Sequence, residues 1–204
     1  MKEITISYRD YLPSDLISDF VKLAQEQEVP VKKNKIVSQK RVLNFEGPEI
    51  HDLIIFINQH QAELIVGLIG AAFYDIFKYG IRNIWVGISK LVKNRLYSSG
   101  KKEKEDKSIL FIVSDKTKRI EVVFKGDVSE DQADKILNKL FEYFDSETLN
   151  ETFSNPDYHP NNEDLPTIRL IFNKDTNTWE PENYGERRRK MDELMKEAQR
   201  KFRS

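Results

Sequence analysis

Glu105-Asp106-Lys107 is the nearest thing in the chain to a catalytic spacing. An E-x-K triplet can offer a carboxylate to a divalent cation and set an ammonium beside an attacked phosphate, as in metal-dependent nucleases. Here the triplet ends the run Ser-Ser-Gly-Lys-Lys-Glu-Lys-Glu-Asp-Lys over residues 98–107, with no Pro-Asp dipeptide upstream. The run reads as a solvated charge stretch. The histidines offer no more. His51 and His60 lie nine residues apart, which on a straight helix turns them to opposite faces, so they cannot share an ion. His159 falls in a Pro/Asn-rich stretch and reads as a surface or internally satisfied ring. Asp10 and Glu49 qualify as a general acid–base pair only if the fold brings them together, and Glu49 beside Pro48 reads better as a helix-start carboxylate.

Other chemistry is excluded by what the chain lacks. It has no Cys and only three His, so thiolate metal sites, disulfides, Cys nucleophiles and histidine-rich metal sites are out. Neither phosphate-cradling glycine pattern occurs, nor do H-E-x-x-H, G-x-S-x-G or the EF-hand spacing. The reading therefore assigns no catalytic, cofactor-binding or metal-ligating residue and expects no cofactor. Lys and Arg cluster at 32–41, 101–107 and 187–190, but the net charge is -1 and the aromatics do not interleave with the basic runs. Nucleic acid is not the expected partner.

The elements that would position any site come next. A chain of 204 residues with 12 Phe, 8 Tyr and 2 Trp can build a core although 33% of it is charged. Residues 3–8 alternate as a strand. Pro13-Ser14 opens a helix with Leu16, Phe20, Leu23 and Ala24 on one face. A basic stretch, Lys32 to Lys35, leads towards a strand at Val42–Phe45, and Gly47-Pro48-Glu49 marks a helix start, so that 48–60 is expected to begin a helical region. After the 98–107 linker, Ser108–Val113 reads as a central strand, Arg119–Lys125 as its hairpin return, and Ser129-x-x-Gln132 as the capping box of an amphipathic helix through Phe144. Residues 146–166 read as a loop, Thr167–Phe172 as a strand, and Thr178-Trp179-Glu180 as a sheet edge. A charged helix, 186–202, ends the chain. The expected domains are 1–97, 108–180 and a C-terminal helix at 183–204. Charge is uneven: residues 76–107 carry a net +6, 126–166 a net -9, and 182–204 a net +3.

Residues 62–97 are the most unusual. Leu64–Tyr74 is an unbroken run of 11 residues without charge, and a continuous helix over 62–97 would be roughly 54 Å long. Gly67, Gly70, Gly80 and Gly87 either weaken it or admit close neighbours. A membrane span needs about 20 apolar residues, and Asp75, Lys78 and Arg82 interrupt this one. A surface-lying or triggered membrane helix remains an alternative. The favoured expectation is a helix too apolar to be enclosed by one small sheet, so that a second copy or a partner covers Leu64, Ile65, Leu68, Ile69, Phe73, Ile76, Phe77, Ile84 and Trp85. A thinner stripe of Met191, Leu194, Met195 and Phe202 on the last helix suits docking in a groove.

The β-α-β start, Gly47-Pro48, the Gly-containing apolar helix with Gly67, Gly70 and Trp85, and the hairpin-plus-helix 108–144 together resemble the effector-associated constant component proteins of bacterial conflict systems, over residues 1–145. The resemblance implies a non-catalytic accessory role in defence and supplies no site residues. Residues 146–204 depart from it. The expectation is an α+β fold, a small mixed or antiparallel sheet packed by helices, in a non-enzymatic, cytoplasmic, bacterial protein that self-associates or binds a protein partner. A membrane-active effector and an enzyme with a site invisible in sequence are the alternatives.

Overall fold

The computed structural model describes residues 2–36, 51–59, 76–91, 94–96, 102–104, 107–114, 117–144, 147–159, 165–186, 188–189 and 192–193. The fold is mixed α+β. Strands β1 (Lys2–Arg9), β2 (Val31–Ile36), β3 (Leu53–Gln59), β6 (Ser108–Ser114), β7 (Arg119–Lys125), β8 (Thr167–Asn173) and β9 (Thr178–Pro181) form one seven-stranded sheet in the order β2-β1-β3-β6-β7-β8-β9. Parallel and antiparallel pairings alternate across it. A separate two-stranded ribbon joins β4 (Asn94–Leu96) to β5 (Lys102–Lys104). The sheet is larger than the sequence suggested, and β3 and β6, from either side of the 98–107 linker, are hydrogen-bonded neighbours in it.

One face of the sheet carries the main core. Ile4, Ile6, Ile55, Ile57, Ile109, Phe111, Val113, Ile120, Val122 and Phe124 pack there against α1 (Ser14–Glu26), a π-helical turn (Ile76–Ile81) running into α2 (Arg82–Ser89), α3 (Glu130–Phe144) and α4 (Glu147–Ser154). The helices have legible causes. Ile17, Phe20, Val21 and Ala24 form the buried stripe of α1, and the expected capping box starts α3, with Ser129 Oγ accepting the Gln132 N–H and Gln132 Oε1 accepting the Ser129 N–H. On the opposite face Leu110, Ile112 and Val123 are buried beside Ile54 and Phe56.

Three expectations are corrected. First, 53–59 is a strand and not helix: Leu53, Ile55 and Ile57 are buried on the core face while Ile54 and Phe56 are half-buried on the other, the alternation of a sheet. The Pro48-Glu49 signal lies outside the described residues, as does the strand expected at 42–45. Second, the helix expected to run to residue 97 ends at Ser89, where Leu91 N–H bonds back to Ile88 O and the chain turns into the β4–β5 ribbon. Residues 62–75 lie outside the described residues, and among the described residues no helix is long and apolar enough to cross a membrane. Third, the loop expected over 146–166 contains α4 and a 3₁₀ turn, Pro156–Tyr158. His159 ties that turn to β8, with Nδ1 2.9 Å from Thr167 O and Nε2 2.9 Å from Phe153 O.

The close approach read into the glycines holds at two of them. A Cβ on Gly80 would lie 2.7 Å from the Phe20 ring, and one on Gly87 would lie 2.6 Å from the Leu16 side chain, so side chains of α1 seat directly on the backbone of the π/α2 segment there.

The end of α1 sets up the edge of the sheet. Glu28 N–H bonds to Gln25 O and Val29 N–H to Ala24 O, with Glu28 at φ 56°. This is a Schellman ending built on a glutamate where glycine is usual, with Val29 packing back on the helix. It turns the chain into Pro30, whose carbonyl accepts the Ile4 N–H and starts the β1–β2 ladder. A side chain in the left-handed region costs about 1–2 kcal/mol. Glu28→Gly should therefore stabilise the chain by up to about 1 kcal/mol, after the extra freedom of an unfolded glycine is subtracted. Glu28→Val should destabilise it, and urea unfolding midpoints measure both.

Candidate partner-binding edge

Strand β2 is Val-Lys-Lys-Asn-Lys-Ile, a sequence with almost nothing to bury. Five of its six residues are exposed, on both faces, and Val31 is half-exposed. It stands at the end of the sheet, and among the described residues its only ladder partner is β1. The two end bonds of that ladder, Ile4 N–H to Pro30 O and Asp10 N–H to Ile36 O, fix its parity. In a parallel ladder every second residue bonds inward, so Lys32, Asn34 and Ile36 face β1 with their main-chain groups. The N–H and C=O groups of Val31, Lys33 and Lys35 point away from the sheet.

The side chains give this edge its charge. Lys32 Nζ reaches Glu3 Oε1 at 2.6 Å. Lys33 and Lys35 share a face, since their register partners are Ile6 and Tyr8. At the far end of the strand two large apolar side chains remain exposed: Ile36 at 37% and Tyr11 at 43%. They lie at one corner because Asp10 N–H closes the ladder on Ile36.

Tyr11 is held in place. Its hydroxyl donates to Asp52 Oδ1, and Lys107 Nζ sits 4.1 Å from the ring centroid. Asp52 is the anchor of the corner and is 1% exposed. Its carbonyl accepts the Arg9 N–H at 3.1 Å, its N–H donates to Ser108 O at 3.0 Å, and its Oδ2 accepts the Ser108 N–H at 2.8 Å. The ends of β1, β3 and β6 are thus joined through one residue. His51 Nδ1 lies 3.2 Å from Ser108 Oγ in the same buried group. His, Ser, Asp and Lys meet here, but all four are 6% exposed or less, and a catalytic reading needs a place for substrate that such burial denies.

A second polar group lies at the other end of the sheet. Glu121, on β7, receives Arg119 at 2.8 Å and Arg169 Nε at 2.9 Å, and Arg169 also approaches Glu182. Burial, the largest single influence, lowers the Arg169 pKa, but Glu121, Tyr184 and Glu182 together outweigh it and the net shift is upward. Burial pushes the nearby Tyr184 phenol well above its ordinary value; Arg169 opposes that shift, while Glu182 and Glu121 add to it. The group satisfies its own charges and reads as a brace between β7, β8 and the chain after β9.

The partner-facing residues expected from the sequence fall in two sets. Ile76, Ile84 and Trp85 are corrected: they are 1%, 1% and 3% exposed within the chain's own core. Trp85 packs 5.1 Å from Phe124 and donates its Nε1–H to Gly126 O. The broad sheet encloses what a small one would have left bare. Phe77 belongs to the π-helical turn, with its side chain outside what is described. Leu64, Ile65, Leu68, Ile69, Phe73, Met191, Leu194, Met195 and Phe202 lie outside the described residues, as do Glu105 and Asp106 of the E-x-K triplet. Trp179, the expected edge aromatic, is 4% exposed and donates to Ile136 O at 2.9 Å. The α1–α2 groove, about 270 Å³ with an apolar floor at Leu16, Phe20 and Ile84, has a rim of mixed charge at Asp19, Lys22 and Glu26 that selects no ligand class. Sequence reasoning saw the lysines of β2 as a solvated run and passed over Asp52. The signal available was positional, a His-Asp pair directly before a continuous apolar run, Leu53–Ile57.

No protein-family model, no curated protein and no solved structure matches the chain.

Asp52→Ala should cost about 1–3 kcal/mol in urea unfolding, because the buried Ser108 amide and the Tyr11 hydroxyl both lose their side-chain acceptor. Nothing at β9 should change, and Tyr11 should gain mobility by NMR. Tyr184 gives a pH test. A phenol raised in the folded state stays neutral while the unfolded phenol ionises, so stability is intact below about pH 10 and falls above it. Tyr184→Phe should flatten that alkaline loss, read as unfolding midpoints on either side of pH 10.

Proposed function

We propose that the chain is a non-enzymatic partner-binding protein that accepts an extended segment of a partner on the outer side of β2. One observation carries this reading: β2 is, among the described residues, an edge strand exposed on both faces, with the main-chain groups of Val31, Lys33 and Lys35 directed outward. An open edge is a template for another strand, and strand addition is a recurring mode of peptide recognition. The corner at Tyr11 and Ile36 adds an apolar contact at the end of that template, and Asp52 holds the corner in place before a partner arrives. Pre-set geometry lowers the ordering cost of binding. The apolar run Leu64–Tyr74 remains a proposed second contact, for a further copy or a partner. An accessory role in the bacterial cytoplasm, within a conflict system, is the setting the resemblance over 1–145 implies and is part of this proposal.

The outward amide of Lys33 supplies the test. Proline there removes an N–H that the β1–β2 ladder does not use, and edge strands tolerate proline. Tagged wild type, purified from the native cells, should carry a partner protein at fixed stoichiometry, and Lys33→Ala, which keeps the outward amide but loses one charge, should retain that protein more weakly. Lys33→Pro should lose it while melting within a few degrees of wild type. Retention of that protein by folded Lys33→Pro would refute strand addition at this edge.

A further inference from the structure

We infer that the segment taken up by β2 is acidic, with carboxylates at alternate positions that face Lys33 and Lys35. This rests on the strand-addition reading and names the chemistry of its partner. Lys33 and Lys35 project from one face at a spacing of two, the spacing at which a paired strand presents its own side chains. Both are exposed, and neither stands across from an acidic residue in the ladder, where their neighbours are Ile6 and Tyr8. Lys32, on the opposite face, already has Glu3. An added strand with acidic residues opposite Lys33 and Lys35 would complete two cross-strand ion pairs, and opposite charges across a ladder are favourable.

The same two lysines disfavour the other occupants. A second copy pairing edge to edge would bring lysine against lysine, which is the device by which edges resist self-association. A nucleic acid would find the charge but little to stack on at this corner: Lys107 takes one face of the Tyr11 ring, and its hydroxyl is engaged by Asp52. A nucleic acid also makes no use of three outward sets of main-chain donors and acceptors.

The experiment measures fluorescence anisotropy of labelled peptides on the full chain. The probe is a peptide of about ten alternating threonine and glutamate residues, which favours extended backbone. Its comparators are the threonine–glutamine peptide, the same acidic peptide methylated on alternate main-chain nitrogens, and a single-stranded oligonucleotide of equal charge. The acidic peptide should bind about tenfold more tightly than the glutamine peptide, a preference that fades as salt rises. The doubly reversed variant Lys33→Glu, Lys35→Glu should lose the acidic peptide and take up a threonine–lysine peptide, an exchange that a misfolded variant could not make. Equal binding of the glutamine and acidic peptides, with the methylated peptide still rejected, would overturn the acidic partner and leave strand addition standing. Equal binding of methylated and unmethylated acidic peptides would overturn strand addition itself. An oligonucleotide that binds as tightly as the acidic peptide, or a dimer by light scattering that Lys33→Pro abolishes, would replace the acidic segment with nucleic acid or a second copy.

Discussion

Asp52 is the residue on which the arrangement of the sheet turns. A buried carboxylate is costly unless its oxygens are satisfied, and here both are: one by Tyr11, the other by the Ser108 amide. The main chain of the same residue bonds Arg9 on one side and Ser108 on the other. No side chain of another type does this at the same length. The result is a fixed register among β1, β3 and β6, three strands whose contacts are otherwise main-chain ladders and interchangeable aliphatic side chains. A slip of one residue would turn Ile55 and Ile57 out of the core, and it would also strand the carboxylate among apolar groups. Register and polar satisfaction enforce each other.

From this fixed centre the sheet grows unevenly. Towards β9 it is braced: Trp179 packs on Phe124 and Phe172, and Glu121 holds two arginines. Towards β2 support thins until the last strand has no buried residue. Among the described residues that edge is held only by its ladder to β1, and it carries lysines on both faces, a charge that opposes pairing with its own kind. The braced side of the molecule and its charged edge are opposite ends of one sheet.

Much of this was legible where local chemistry and burial agree. The alternation at β1, the hairpin β6–β7 and the capping box of α3 each carry their own signal and form as read; α1 forms too, but its buried stripe is Ile17, Phe20, Val21 and Ala24, with the expected Leu16 and Leu23 only partly buried. The failures have physical reasons. Leu53–Gln59 is apolar at nearly every position because a central strand is buried on one face and partly covered on the other, and such a run has no period to separate it from a buried helix. Lys32–Lys35 reads as solvated coil because its strand is defined by the ladder to β1, a tertiary fact that the lysines do not announce. The candidate edge was visible as charge and invisible as structure. Ile76, Ile84 and Trp85 were read as too apolar to hide because the sheet was judged small, and a seven-stranded sheet changes that sum.

The placement of β3 has a consequence for how the molecule is made. Ile57 meets Ile4, and Leu53 meets Ile109, so β3 lies between one strand synthesised long before it and one synthesised long after. While the ribosome is still making the second half, β1, α1 and β2 can assemble, and β3 can join β1, but the flank meant for β6 stays unfilled. Closing such distant pairings is slow, and through that interval Ile54 and Phe56 stand at a raw border of the growing sheet. The nascent chain is thus open to clumping midway through synthesis, and the hairpin β6–β7, whose strands are joined locally, is the piece whose docking on β3 ends that exposure.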